Sequence, residues 1–107
     1  MAYYLLQVAY TPESFASQMK NPQNVVERTK SVIESLGGKL LSTYYAFGEY
    51  DLVQTMECPD SVSAAAVAMV AAAGGAIKAT KIIPLLSVEE GQKALKKAAT
   101  IKYKAPA

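Results

Sequence analysis

Histidine and tryptophan are both missing from this chain of 107 residues, which has a single cysteine, Cys58, and a single arginine, Arg28. The want of histidine excludes imidazole-ligated haem, zinc sites built on imidazole, and every Ser-His or Cys-His nucleophile pair. A lone cysteine cannot form an internal disulfide, and it says little about redox compartment. The start, Met1-Ala-Tyr-Tyr-Leu-Leu-Gln, has neither a basic segment nor a long apolar stretch, so no secretion signal is expected and a cytoplasmic location is the default. The one continuous run of small apolar residues, Ala64 to Ala73, falls well short of the roughly 20 needed to cross a bilayer, so no membrane contact is expected. Strong charge of either sign is absent too: 11 basic and 9 acidic residues leave a net charge of +2. Lysines do gather late in the chain, at positions 93, 96, 97, 102 and 104, after Glu89 and Glu90. That order suits the dipole of a helix, and no aromatic residue interleaves with the lysines before Tyr103, so nucleic acid is not an expected partner. Neither a metal nor a cofactor is expected.

What is present is a 51% hydrophobic composition in a chain long enough for one small domain, residues 1–107. Residues 3–10 are rich in aromatic and aliphatic side chains and end at Thr11-Pro12, as a strand would. Thr11 and Pro12 then suit the start of a short helical piece carrying Phe15 and Met19, which stops at Asn21-Pro22. A longer helix is expected from there, with Asn21 as its cap. Val25, Thr29, Val32 and Leu36 trace one face of it, and Gly37-Gly38 ends it. Residues 39–47 and 50–58 read as two strands joined by Gly48-Glu49 in a type II′ hairpin. The implied register sets Phe47 against Tyr50, Tyr45 against Leu52, Thr43 against Gln54 and Leu41 against Met56.

Asp60 or Ser61 opens the next helix, whose body, Val62 to Ala73, is apolar nearly all round and therefore expected to be buried. Residues 77–86 form a fourth strand in which Pro84 suits an edge or a bulge, and Ser87 opens a last helix from Val88 to about Ala99. The tail beyond is expected to be extended or loose. Strand, helix, strand, strand, helix, strand, with a terminal helix added, is an α+β arrangement of the ferredoxin-like βαββαβ type. Its two helices can cover only one face of the sheet. Strands one and four nevertheless carry apolar residues on both faces, so a second copy of the chain is expected against the open face, two sheets packing as a homodimer.

Several of these segments together resemble the GYD domain family: Thr11-Pro12 after an aromatic strand, Glu34-Ser35-Leu36-Gly37-Gly38-Lys39, Gly48-Glu49-Tyr50-Asp51-Leu52-Val53, and Glu57-Cys58-Pro59-Asp60. The resemblance spans about residues 3–95, with Gly48, Tyr50 and Asp51 as the naming signature. It implies membership of the dimeric α/β-barrel superfamily and assigns little chemistry. At position 24 the resemblance leads one to expect an arginine; Asn24 stands there, and an anion site built on that arginine would be lost. Related barrels include cofactor-free monooxygenases and isomerase-like enzymes.

The residues offer a short roster of candidates. Asp51, expected beside Tyr44 on one hairpin face, would serve as a general base or hold a ligand hydroxyl, or else accept hydrogen bonds that pin the hairpin. Tyr50 would touch a ligand or pack on Phe47. Lys81 would neutralise an anion if it points inward and is otherwise a solvated edge charge. Tyr3, Tyr4, Tyr10, Tyr44 and Tyr45 would line a pocket for a planar molecule, or lie in the core with satisfied hydroxyls. Cys58 has no basic neighbour in sequence and is expected to be inert. Three functions fit: a homo-oligomer binding a small apolar or aromatic molecule, a cofactor-independent monooxygenase- or isomerase-like enzyme using Asp51 and Tyr50, and a protein-interaction module.

Overall fold

The aromatic and aliphatic run near the start of the chain forms β1 (Ala2–Tyr10) in the computed structural model, which describes residues 1–106. There follow α1 (Pro12–Lys20), α2 (Val25–Ser35), β2 (Lys39–Tyr45), β3 (Leu52–Cys58), α3 (Ser61–Ala73), β4 (Ile77–Leu85) and α4 (Val88–Ala99). The strands form one antiparallel sheet in the order β2-β3-β1-β4. This is the ferredoxin-like topology, with β1 and β3 central and Pro84 on an edge strand, where its missing N–H is tolerated. The last tail residue, Ala107, lies outside the described residues.

Helix starts follow local chemistry. Thr11 caps α1 by accepting the Ser14 N–H at 3.0 Å, and Asp60 caps α3 by accepting the Ser63 N–H at 2.8 Å. The longer helix α2 departs from expectation: it begins at Val25, capped by Asn24, whose Oδ1 accepts the Val26 N–H at 3.0 Å. Pro22 and its neighbours are thus a link between two helices, because the second Asn, not the first, is the one placed to satisfy an orphan N–H. At the other end, Gly37 (φ 82°) takes the left-handed conformation, Gly37 N–H donates to the Glu34 carbonyl at 3.0 Å and Gly38 N–H to the Ile33 carbonyl at 2.9 Å. Those two bonds make a Schellman stop.

The hairpin differs from the expected two-residue turn. The strands end at Tyr45 and Leu52, residues 46–51 form a longer loop closed by Ala46 N–H donating to the Asp51 carbonyl at 2.8 Å, and Gly48 lacks the positive φ that a type II′ turn requires. Phe47 and Tyr50 therefore do not pair. Tyr45 faces Leu52 and Thr43 faces Gln54 as expected, but an irregularity between Leu40 and Ser42 sets Leu40, not Leu41, opposite Met56. A bulge on this edge strand turns Leu41 out to solvent.

One face of the sheet holds the core. Tyr4, Leu6, Val8 and Tyr10 of β1 and Leu52, Gln54, Met56 and Cys58 of β3 are buried there beneath Val25 and Ile33 of α2 and Ala64 and Val67 of α3. Helix α3 is only partly buried, contrary to expectation: Val62, Met69 and Val70 remain exposed, because a helix on the outside of a single layer hides one side only. On the opposite face no helix covers Tyr3, Leu5, Val53, Ile83 and Leu85, of which all but Tyr3 are half-buried.

Helix α4 is well formed, with a capping box between Ser87 and Glu90, yet it packs substantially on no other element, and Val88 and Leu95 are exposed. The chain is elongated in consequence, with extents of 57 × 35 × 21 Å and a radius of gyration of 17.1 Å, against about 13 Å for a compact domain of this length. No helix among the described residues is long and apolar enough to cross a membrane.

Candidate functional site

Two concavities lie on opposite faces of the sheet. The first, about 330 Å³, sits between the sheet and helices α1, α2 and α3. Its walls are mainly apolar, with Leu6 and Val8 of β1, Leu52 of β3, Val25 of α2, Val67 of α3 and Ile77 of β4. Ser14, Arg28, Thr29 and Gln54 are its polar members. Alternation along β3 dictates the position of Gln54: Leu52, Gln54, Met56 and Cys58 all face inward, so a single amide stands in an apolar row.

Gln54 is fully buried. Its Nε2 donates to Thr29 Oγ1 at 2.8 Å and to Thr43 Oγ1 at 3.0 Å, which occupies both amide hydrogens. The Thr29 hydroxyl donates its own hydrogen to the Val25 carbonyl at 3.1 Å, so towards Gln54 it acts as an acceptor, and this fixes which end of the amide faces it. Gln54 Oε1 is left buried with no partner. An unpaired buried acceptor of this kind carries a desolvation penalty of about 1–3 kcal/mol. Thr80 Oγ1 is also buried and unpaired, but Thr80 is not part of the cavity wall.

Tyr10 and Arg28 also line this cavity. The Tyr10 ring stacks edge-on against Phe15, centroids 5.5 Å apart. Burial pushes the Tyr10 hydroxyl above its ordinary pKa, with Tyr45 and Asp51 adding to the rise and the Arg28 guanidinium opposing it. Arg28 is exposed and makes no ion pair among the described residues.

The second concavity, also about 330 Å³, lies on the uncovered face. Val53, Gln7 and Lys81 form one row across β3, β1 and β4, and loop residues 46–50 border it. Tyr50 and Lys81 meet here.

The other expected site residues are dispersed. Asp51 lines neither concavity; its Oδ2 accepts the Tyr10 N–H at 2.9 Å and its own N–H donates to the Val8 carbonyl at 2.8 Å, fastening the hairpin loop to the end of β1. Tyr44 and Tyr45 are exposed on the edge strand β2, facing opposite sides of the sheet. Tyr4 is a core residue whose hydroxyl lies 3.2 Å from Ser61 Oγ. Tyr3, Tyr4, Tyr10, Tyr44 and Tyr45 are thus divided between the two faces and do not line one pocket. Cys58 is buried, and burial, reinforced by the Asp60 charge, raises its thiol pKa.

Gln54 and Thr29 were not among the expected site residues. The signal was there: a glutamine on the inward register of an otherwise apolar strand, opposite Thr43, with Thr29 on the inward face of the neighbouring helix.

A four-stranded ferredoxin-like sheet with a half-open apolar cavity beneath its helices defines the class of protein. The chain belongs to the GYD domain family, whose model matches residues 4–95. Its fold is similar to that of MtbAldR, with a TM-score of 0.58 at 10% identity over 80% of this chain and 53% of that one, so the chain spans about half the length of that protein. It is also similar to 30S ribosomal protein S6 from Thermotoga maritima, with a TM-score of 0.55 at 16% identity over 92% of this chain and 97% of that one. Likenesses at this identity concern the fold alone. No curated protein matches the sequence.

Proposed function

We propose that this GYD-family protein binds a small apolar or aromatic molecule in the cavity between the sheet and helices α1 to α3. The observation that carries the reading is the cavity itself, apolar-walled and floored by one buried amide with an unused acceptor. Ligand sites commonly combine a mostly apolar lining with one or two polar groups that fix orientation. Titrating 4-methylphenol into isotope-labelled protein is expected to shift the backbone resonances of Leu6, Val8, Leu52 and Val67. Ala71→Phe, which fills the cavity from α3, should abolish those shifts and leave the rest of the spectrum native. Absence of shifts, or shifts that survive the filled cavity, would overturn the reading.

The protein acts in this reading as a homodimer joined through the uncovered sheet face. Leu5 and Ile83 pair in register on that face beside Val53 and Leu85, and α4 leaves apolar residues without a partner in its own chain. Sedimentation of the parent protein should give a dimer and Leu5→Lys a monomer; a parent that sediments as a monomer at micromolar concentration would refute it. An enzyme reading has less to draw on, since Asp51 stands outside the cavity wall and its carboxylate is engaged with the Tyr10 backbone. A protein-interaction reading would rest on the exposed side of α4.

A further inference from the structure

Gln54 and Arg28 are set apart by burial as well as by chemistry: the amide is sealed from solvent at the cavity floor, while the guanidinium is exposed and has no carboxylate partner among the described residues. Both line the same apolar space. From this arrangement we infer that the ligand is a small aromatic molecule with a hydrogen-bond donor at its inner end and an anionic group at its outer end, the chemistry of a hydroxyaryl carboxylate. The inference rests on the binding reading above and names the class of molecule that reading leaves open.

The inner requirement follows from Gln54. With both Nε2 hydrogens committed to Thr29 and Thr43, on the α2 and β2 sides, Oε1 is the one polar atom of this side chain left without a partner, and Leu6 of the cavity wall lies opposite Gln54 in the sheet. A buried unpaired acceptor gains nothing from an ether or a hydrocarbon, and it rewards an O–H or N–H donor. The oxygen is closed to solvent in this conformation, so an occupant that uses it has to displace the part of the wall that covers it. Aliphatic side chains between floor and mouth ask for an apolar body, and a volume of about 330 Å³ has room for about one or two rings.

The outer requirement follows from Arg28. It is the only arginine of the chain, and its positive charge acts on the neighbouring Tyr10 hydroxyl. A planar guanidinium at the edge of an apolar cavity is matched to a carboxylate, which it can hold bidentately while the anion stays partly hydrated.

Calorimetric and NMR titrations of the full chain with 4-hydroxyphenylacetate, phenylacetate, 4-methoxyphenylacetate and 4-methylphenol test both ends. The hydroxy acid is expected to bind about tenfold or more tighter than phenylacetate or the methoxy acid, because those leave the buried acceptor unpaired. Arg28→Gln, on an exposed position, should weaken the hydroxy acid about three- to tenfold and leave 4-methylphenol unchanged. Gln54→Leu should erase the preference for the hydroxyl; should it fail to fold, the methoxy and hydroxy acids compared on the parent protein carry the same information. If 4-methylphenol enters the cavity and the acids show no preference, the inference fails while the binding reading stands. If no compound shifts the cavity resonances, both fail.

Discussion

Replacing Asp51 by alanine removes the acceptor for the Tyr10 N–H, a bond of 2.9 Å at the end of β1 where Tyr10 is 5% exposed. The backbone N–H left behind loses the carboxylate that meets it. A hydrogen bond to a charged group contributes about 1.5–3 kcal/mol, so a loss of about 2 kcal/mol is expected for a carboxylate that is only half-buried. At this chain length that corresponds to a fall in Tm of about 8 °C. Asp51→Asn keeps an acceptor oxygen of the same reach and loses only the charge, and it should fall by about half as much. Thermal and urea unfolding by circular dichroism, at one fixed protein concentration because assembly would alter the apparent stability, gives the magnitudes. Amide exchange gives the location: protection at Tyr10 should drop in the alanine variant and persist in the asparagine one. An alanine variant that melts within about 2 °C of the parent, with Tyr10 still protected, would refute the claim that the signature aspartate is a latch between loop and strand.

Three further outcomes follow from local geometry. Gly38→Ala would bring a Cβ to 2.5 Å from the Glu57 carbonyl oxygen and 3.0 Å from Ile33, so a destabilisation of about 1–3 kcal/mol is expected in urea, whereas Gly48→Ala, with nothing within 4 Å, should be neutral. The Asp60 and Glu90 carboxyls are held below their ordinary pKa by the backbone N–H groups of Ser63 and Ser87, so their contribution is full above the unfolded value of about 4 and is lost as pH falls through the lower folded value. Carbon-detected titration should place both midpoints below those of the unfolded chain and show the first turns of α3 and α4 fraying on acidification; midpoints at or above the unfolded values would contradict the caps. The Cys58 thiol, buried and raised in pKa, should resist a thiol reagent at pH 8 in the native protein and react at once in denaturant, and rapid native labelling would mean that the β3–α3 junction opens.

The order of elements was legible because punctuation and period agreed along most of the chain. Thr11-Pro12, Gly37-Gly38 and Ser87 each bounded a helix through backbone chemistry that does not depend on the rest of the fold. Where two equivalent signals competed, pattern alone could not choose: Asn21 and Asn24 are both good caps, and only the helix that reaches Ile33 in the core selects the second. The hairpin loop is not legible in the sequence for a similar reason, because Gly-Glu invites a tight turn while Asp51 binds the end of β1, an attachment made across 41 positions of sequence. The tyrosines are assigned by strand alternation, which divides them between the two faces, whereas their abundance had suggested a common pocket. Gln54 is the instructive case, since the alternation that buries it was visible but the donors that exhaust its amide come from two other elements.

The pairing of β1 with β3 runs without a slip from Ala2 opposite Cys58 to Val8 opposite Leu52, while the sheet's irregularities fall in the pairings of the outer strands β2 and β4. Inserting a single residue into β3 would exchange its two sides, driving Val53, Thr55 and the Glu57 carboxylate inward and turning Leu52, Gln54 and Met56 outward. The central strands are therefore intolerant of a one-residue change in length, however conservative the residue added. Family members of different length should carry their insertions and deletions in the 46–51 loop, in the link before α2 or beyond α4.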